Sequence, residues 1–173
     1  MKGKLWVWAA VLALLAACPG CGLILAKAPF DATGNYRGKW TGTVKGDPDT
    51  LSCTASFSFE QDDLWKIFQG AVLNGDTVLN FTCLSTLDRL GAIGLPGLAS
   101  MEVSGFVAQD GGVNFGGSTL EGDVKMTFAL TGEGSDKDED GKMDRLGGKW
   151  TLVIDQPDYP RITITGNVQA DAL

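Results

Sequence analysis

"YRGKWTGTV", residues 36–44, decides the fold. Tyr36, Gly38, Trp40, Gly42 and Val44 occupy every second position, with Arg37, Lys39, Thr41 and Thr43 between them. Successive side chains of an extended strand point to opposite faces, so a period of two sorts apolar residues onto one side and polar residues onto the other. The pattern recurs. In "LSCTASFSFE" (51–60), Leu51, Cys53, Ala55, Phe57 and Phe59 share a face; "VKMTFAL" (124–130), "KWTLVID" (149–155) and "RITITGNVQ" (161–169) alternate in the same way. One dry face and one wet face describe antiparallel strands over a single core. Asn74-Gly75 before Asp76 reads as a two-residue hairpin, because a tight turn demands the positive φ that Asn and Gly tolerate. "QDGG" at 109–112 reads as another turn. The spacing predicts an all-β, up-and-down meander of eight or nine strands, near 35–45, 51–60, 64–73, 77–83, 101–108, 112–117, 122–132, 148–156 and 161–170. A short helix fits only within 84–90. Closing the meander into a small barrel would remove exposed sheet edges. A two-sheet β-sandwich satisfies the same alternation and stays open as the alternative.

Length and composition narrow the function. The 173 residues suit one domain with a sizeable core. The chain has no His, which excludes His-based acid/base catalysis, His-containing triads and His metal ligands. No nucleophile elbow, phosphate-binding loop or dinucleotide fingerprint is present, so an enzyme is not expected. A carboxylate-dependent hydrolase is the lesser alternative, with Glu60, Asp62 and Asp63 clustered at a strand end. The formal net charge is −7, and loss of Lys2 and Lys4 with a leader takes it to −9. Such a body is repelled by phosphate backbones, so nucleic acid is not an expected partner.

The first residues read as an export signal. "MKGK" supplies positive charge, and "LWVWAAVLALLAA" follows with 13 residues free of charge or breakers. That run is short of the roughly 20 residues a membrane-spanning helix needs, and a basic start before a short apolar run describes a secretory signal peptide. "LAAC", Leu15 to Cys18, resembles the lipobox of bacterial lipoproteins. The resemblance implies that residues 1–17 are removed, that Cys18 carries a diacylglyceryl group, and that the new amino terminus is acylated with palmitate or a similar chain. Each buried CH₂ contributes about 0.8 kcal/mol, so two or three chains make a firm anchor. Pro19, where an Asp would signal retention at the inner membrane, favours the outer membrane of a bacterial cell envelope. The domain reading is therefore signal peptide 1–17, lipidated tether 18–34, and antiparallel β domain 35–173. Membrane lipid is the partner that the anchor implies.

Export places the domain where disulfides persist. Leu79, Phe81 and Cys83 share a face, as do Leu51 and Cys53, so Cys53 and Cys83 both lie on apolar sides and can meet. A bridge closing about 30 residues would stabilise by roughly 3–4 kcal/mol in the chain-entropy picture. Two buried free thiols are the alternative, and Cys21 is left over.

"FDATGNYRGKW", residues 30–40, resembles the opening of bacterial lipocalins, in which Phe-Asp precedes Tyr-x-Gly-x-Trp on the first barrel strand. Phe30, Asp31, Tyr36, Gly38 and Trp40 carry the match. "GKWT" at 38–41, echoed at 148–151, also resembles the start of avidin-type barrels. The resemblance implies a small lipocalin-like β-barrel of eight strands, with Trp40 plugging one end and a small apolar ligand in the mouth. Phe57, Phe59, Trp65, Phe81, Met126 and Phe128 are the candidate cavity lining; the same side chains could instead fill the interior. The Gly-rich apolar stretch 85–100 packs over one end or touches the membrane. The expected function is thus a lipid-anchored envelope protein with a binding module for a small apolar ligand, or a structural or partner-binding component without one.

"SDKDEDGKMD", residues 135–144, places Asp136, Asp138 and Asp140 at alternate positions, then Gly141 and Asp144. This resembles the first nine positions of a calcium loop, with the Lys142 carbonyl as the seventh-position oxygen. Gly147 stands where the bidentate Glu would be, which limits the expected calcium affinity to about 10⁻⁴–10⁻³ M.

Overall fold

The computed structural model describes residues 28–46, 50–62, 70–82 and 97–173. The leader, Cys18, Cys21, Asp63, Trp65, Cys83 and the 84–90 helix reading lie outside the described residues. Eight antiparallel strands follow in order: β1 Gly34–Val44, β2 Thr50–Asp62, β3 Gly70–Asn80, β4 Leu98–Ala108, β5 Gly112–Glu121, β6 Val124–Ser135, β7 Arg145–Asp155 and β8 Ile162–Ala172. Each pairs with the next, and β8 pairs with β1, from Tyr36↔Ala172 to Val44↔Ile164. The sheet is a closed barrel, so the sandwich alternative falls away.

The period of two sets every face. Tyr36 and Trp40 on β1, Leu51 through Phe59 at odd positions on β2, and Val124, Met126, Phe128 and Leu130 on β6 are all buried. Eight inward rings touch in an unbroken series: Tyr36, Phe59, Phe57, Phe115, Phe128, Trp150, Trp40 and Phe81, with neighbouring centroids 4.6–6.5 Å apart. Tilted and edge-on contacts at these separations add to the burial of each ring.

The echo of "GKWT" has a physical basis. Trp150 sits opposite Gly166, and Gly166 sits opposite Gly42. The Trp150 indole reaches so far across that a methyl on Gly42 would stand 2.8 Å from its Cζ2. A methyl on Gly166 would overlap the Thr41 carbonyl oxygen. The glycines on β1 and β8 thus make the seat in which Trp150 meets Trp40 edge-on at 4.6 Å.

One expected turn is corrected. Asn74-Gly75 is no hairpin; β3 runs straight through it, with Gly75 opposite Phe59 on one side and Val103 on the other. Gly75 is there for closeness: a Cβ would overlap the Ser58 carbonyl oxygen. The expected strands 64–73 and 77–83 therefore contribute one strand, and the count is eight, not nine. The expected strand 122–132 also begins too early. Gly122, with φ 59°, makes the turn that ends β5 and starts β6. "QDGG" does turn, with Gly111 at φ 87° donating to the Ala108 carbonyl at 3.1 Å.

Gly166→Ala is expected to destabilise the protein by about 2–3 kcal/mol through overpacking. Gly147→Ala, where the nearest atom is 4.0 Å from the new methyl, should change stability by less than about 0.5 kcal/mol. Chemical denaturation of both variants checks the pair.

Candidate metal centre and barrel interior

The acidic loop joins β6 to β7. Its base closes where the Asp144 N–H donates to the Ser135 carbonyl at 2.8 Å. Inside it, carboxylates accept from backbone N–H groups, as short acidic side chains in turns commonly do. Gly141 donates to Asp136 Oδ2 at 2.7 Å, Lys142 to Asp140 Oδ1 at 2.8 Å, Lys137 to Asp144 Oδ2 at 2.6 Å, and Asp140 to Asp138 Oδ1 at 3.3 Å. Glu139 at φ 62° and Gly141 at φ 84° make the bend.

These turns bring together part of the expected set. Asp136, Asp138 and Asp144 each offer a carboxylate oxygen within 4.8 Å of the others. Asp140 does not join them; its carboxylate is turned onto the Lys142 N–H. Gly147 lies in β7 opposite Glu133 and brings no side-chain oxygen to the loop. Asp136 Oδ1 is sealed from solvent and has no hydrogen-bond partner. A donor set made only of oxygen, with a sealed lone oxygen among three like charges, fits a hard divalent cation such as calcium. Arg145 gives its Nε to Asp171 at 2.7 Å.

The loop also clasps the chain entering the barrel. The Asp31 N–H donates to the Gly141 carbonyl at 2.8 Å, and the Met143 N–H donates to the Asp31 carbonyl at 2.9 Å. Asp31 thereby forms a parallel bridge with Lys142. Phe30 and Met143, 4 % and 1 % exposed, pack over Gly134, where a Cβ would overlap the Phe30 ring. The Tyr36 hydroxyl donates to the Ala32 carbonyl at 3.1 Å beneath this seal. Burial, then the charges of Asp31 and Asp144, push the Tyr36 hydroxyl up to about 12. The sequence shows the loop and the Phe-Asp pair as separate features, and nothing in it signals that backbone hydrogen bonds join them.

Five of the six candidate cavity residues lie among the described residues, on the inner faces of their strands or at a strand end. Phe57, Phe59, Phe81, Met126 and Phe128 are each between 0 % and 3 % exposed. A side chain lining a void wide enough for water keeps surface open toward it; instead Phe57 and Phe59 stack on each other, Phe128 meets Phe115 and Trp150, and Phe81 meets Trp40. Trp40, the expected plug, is 2 % exposed and lies between Trp150 and Phe81. The Trp150 Nε1–H donates to the Thr41 carbonyl at 3.2 Å, whereas Trp40 Nε1 is sealed without a partner. Cys53 is buried opposite Trp40. Glu60 is exposed on the outer face of β2, and Arg161, just before β8, pairs with Asp155 at 2.6 Å on the outside.

Because Tyr36 holds its proton to about pH 12 when folded and to about pH 10 when unfolded, its share of stability is full below pH 10. That share is lost as pH rises from 10 toward 12. An ultraviolet titration of phenolate, compared with Tyr36→Phe, should show one tyrosine ionising late, and the variant should lose less stability over that window. No protein-family model matches this chain, and no curated protein matches it in sequence.

Proposed function

We propose that this protein is a lipid-anchored lipoprotein of the bacterial cell envelope, held to the outer membrane by acylated Cys18. Its barrel works as a structural and partner-binding module with a filled interior rather than as a carrier of a small apolar ligand. The observation that carries this reading is the series of eight touching rings, whose members leave no appreciable surface open inside the barrel. The anchor is supported by the "LLAAC" stretch at the end of a short apolar run. The acidic loop takes calcium through Asp136, Asp138 and Asp144, supported by the sealed Asp136 oxygen. A Cys53–Cys83 bridge belongs to this reading, supported by the burial of Cys53 on the inner face of β2 and by the β2–β3 register Ala55↔Leu79, which carries position 53 toward position 81, two residues before Cys83 in the sequence.

Labelled palmitate should enter the intact chain and fail to enter Cys18→Ser; label on the variant, or none on the intact chain, contradicts the anchor. Native mass spectrometry of Cys18→Ser purified without detergent should give the mass of the chain alone. A co-purifying small apolar mass would overturn the filled-interior reading. Calcium at tenfold its dissociation constant should stabilise by about 1.4 kcal/mol. Asp138→Asn should abolish that gain; a melting midpoint indifferent to millimolar calcium means the loop takes none.

A further inference from the structure

The segment that leads into β1 is held from two sides. On one side stands Gln61, near the end of β2, whose Oε1 accepts the Ala32 N–H at 2.9 Å and whose Nε2 donates to the Phe30 carbonyl at 3.2 Å. On the other side the acidic loop takes both backbone groups of Asp31: its N–H goes to the Gly141 carbonyl at 2.8 Å, and its carbonyl accepts the Met143 N–H at 2.9 Å. The first grip belongs to the barrel wall. The second depends on the shape of the loop.

That shape is set by two of the carboxylates assigned to the cation. Asp136 Oδ2 accepts the Gly141 N–H at 2.7 Å, while the Gly141 carbonyl holds Asp31. Asp144 Oδ2 accepts the Lys137 N–H at 2.6 Å, and the Asp144 carbonyl accepts the Ala172 N–H, at the end of β8, at 2.8 Å. The lead-in to β1 and the end of β8 are thus both fastened to the backbone that these two side chains brace. Without a cation, three carboxylate oxygens within 4.8 Å repel one another, and the sealed Asp136 Oδ1 has no hydrogen-bond donor to offset that. A cation among them reverses the sign of the interaction and holds Gly141 where Asp31 meets it. Phe30 and Met143, packed together over Gly134, carry the same order into the seal above Tyr36.

We propose, resting on the calcium reading of this loop, that cation binding at Asp136, Asp138 and Asp144 and the docking of residues 30–32 are one linked equilibrium. Calcium tightens the clasp on Asp31, and the docked segment tightens the hold on calcium by the same factor, as linkage between two sites requires. Phe30 brings neither charge nor side-chain oxygen to the loop, and Gln61 grips the segment by way of Phe30 and Ala32. Both reach the cation only through the clasp.

The test uses the full chain in detergent micelles with calcium chloride, and it has two readouts. Amide hydrogen exchange at Asp31 and Met143 should slow at least fivefold when the loop is saturated, whereas the Tyr159 amide, in the turn at the other end of the barrel, should not respond. Asp138→Asn should remove the slowing. By calorimetry, Phe30→Ala should weaken calcium binding about fivefold or more, Phe30→Leu should weaken it less, and Gln61→Ala should shift it in the same direction. Variants are compared only where the far-ultraviolet spectrum of the barrel is kept, so Phe30→Leu and Gln61→Ala decide if Phe30→Ala does not fold. Absence of calcium binding at millimolar concentration overturns the reading of the loop and this inference with it. Calcium that binds but leaves exchange at Asp31 and Met143 unchanged, or binds the folded Phe30 and Gln61 variants as tightly as the unaltered chain, overturns the linkage alone.

Discussion

Everything in this barrel depends on one contact, the indole of Trp150 lying across glycine on two neighbouring strands to meet Trp40 edge-on. Eight strands enclose only a narrow interior, and two indoles cannot share it unless the facing wall has no side chains at that level. Gly42 and Gly166 supply that wall. The Trp150 Nε1–H then reaches the Thr41 carbonyl, which turns a space-filling contact into an oriented one. From this pair the ring series continues through Phe128 and Phe115 to Phe57, Phe59 and Tyr36, so packing at one level dictates packing at the next. A filled interior removes the property for which small barrels of this shape are suited, and it directs attention to the outer wall and the rims.

The rim near Tyr36 shows how the interior connects to the segment that enters the barrel. Phe30 and Met143 cover Tyr36, and Asp31 is stitched to the acidic loop by two backbone hydrogen bonds. The segment that leads into β1 is therefore part of the barrel's seal. A cation held by Asp136, Asp138 and Asp144 would stiffen the same loop that grips Asp31, tying the divalent-ion concentration to the stability of this rim.

Much of the fold was legible because a half-buried strand writes its two faces into alternate residues. β1, β2, β6, β7 and the buried positions of β8 follow that rule. The misreading at Asn74-Gly75 has a definite cause. Glycine serves both positive φ and close backbone approach, and the dipeptide alone does not say which. The unbroken parity of Ala71, Leu73, Thr77, Leu79 and Phe81 does say, since all five share one face with no reset at Gly75. The acidic loop was legible as a spacing of carboxylates, but Asp140's diversion to its own backbone was not, because that depends on the bend at Glu139 and Gly141.

The central claim is that the chain's own side chains, the touching rings foremost among them, fill the middle of the barrel. Nuclear Overhauser measurements on the ligand-free protein test it most directly. The account predicts cross-peaks between the Trp40 and Trp150 indoles and from the Phe115 ring to Phe57, Phe59 and Phe128. Absence of those contacts, with cross-peaks from the same rings to an added aliphatic molecule such as a fatty acid, would contradict it.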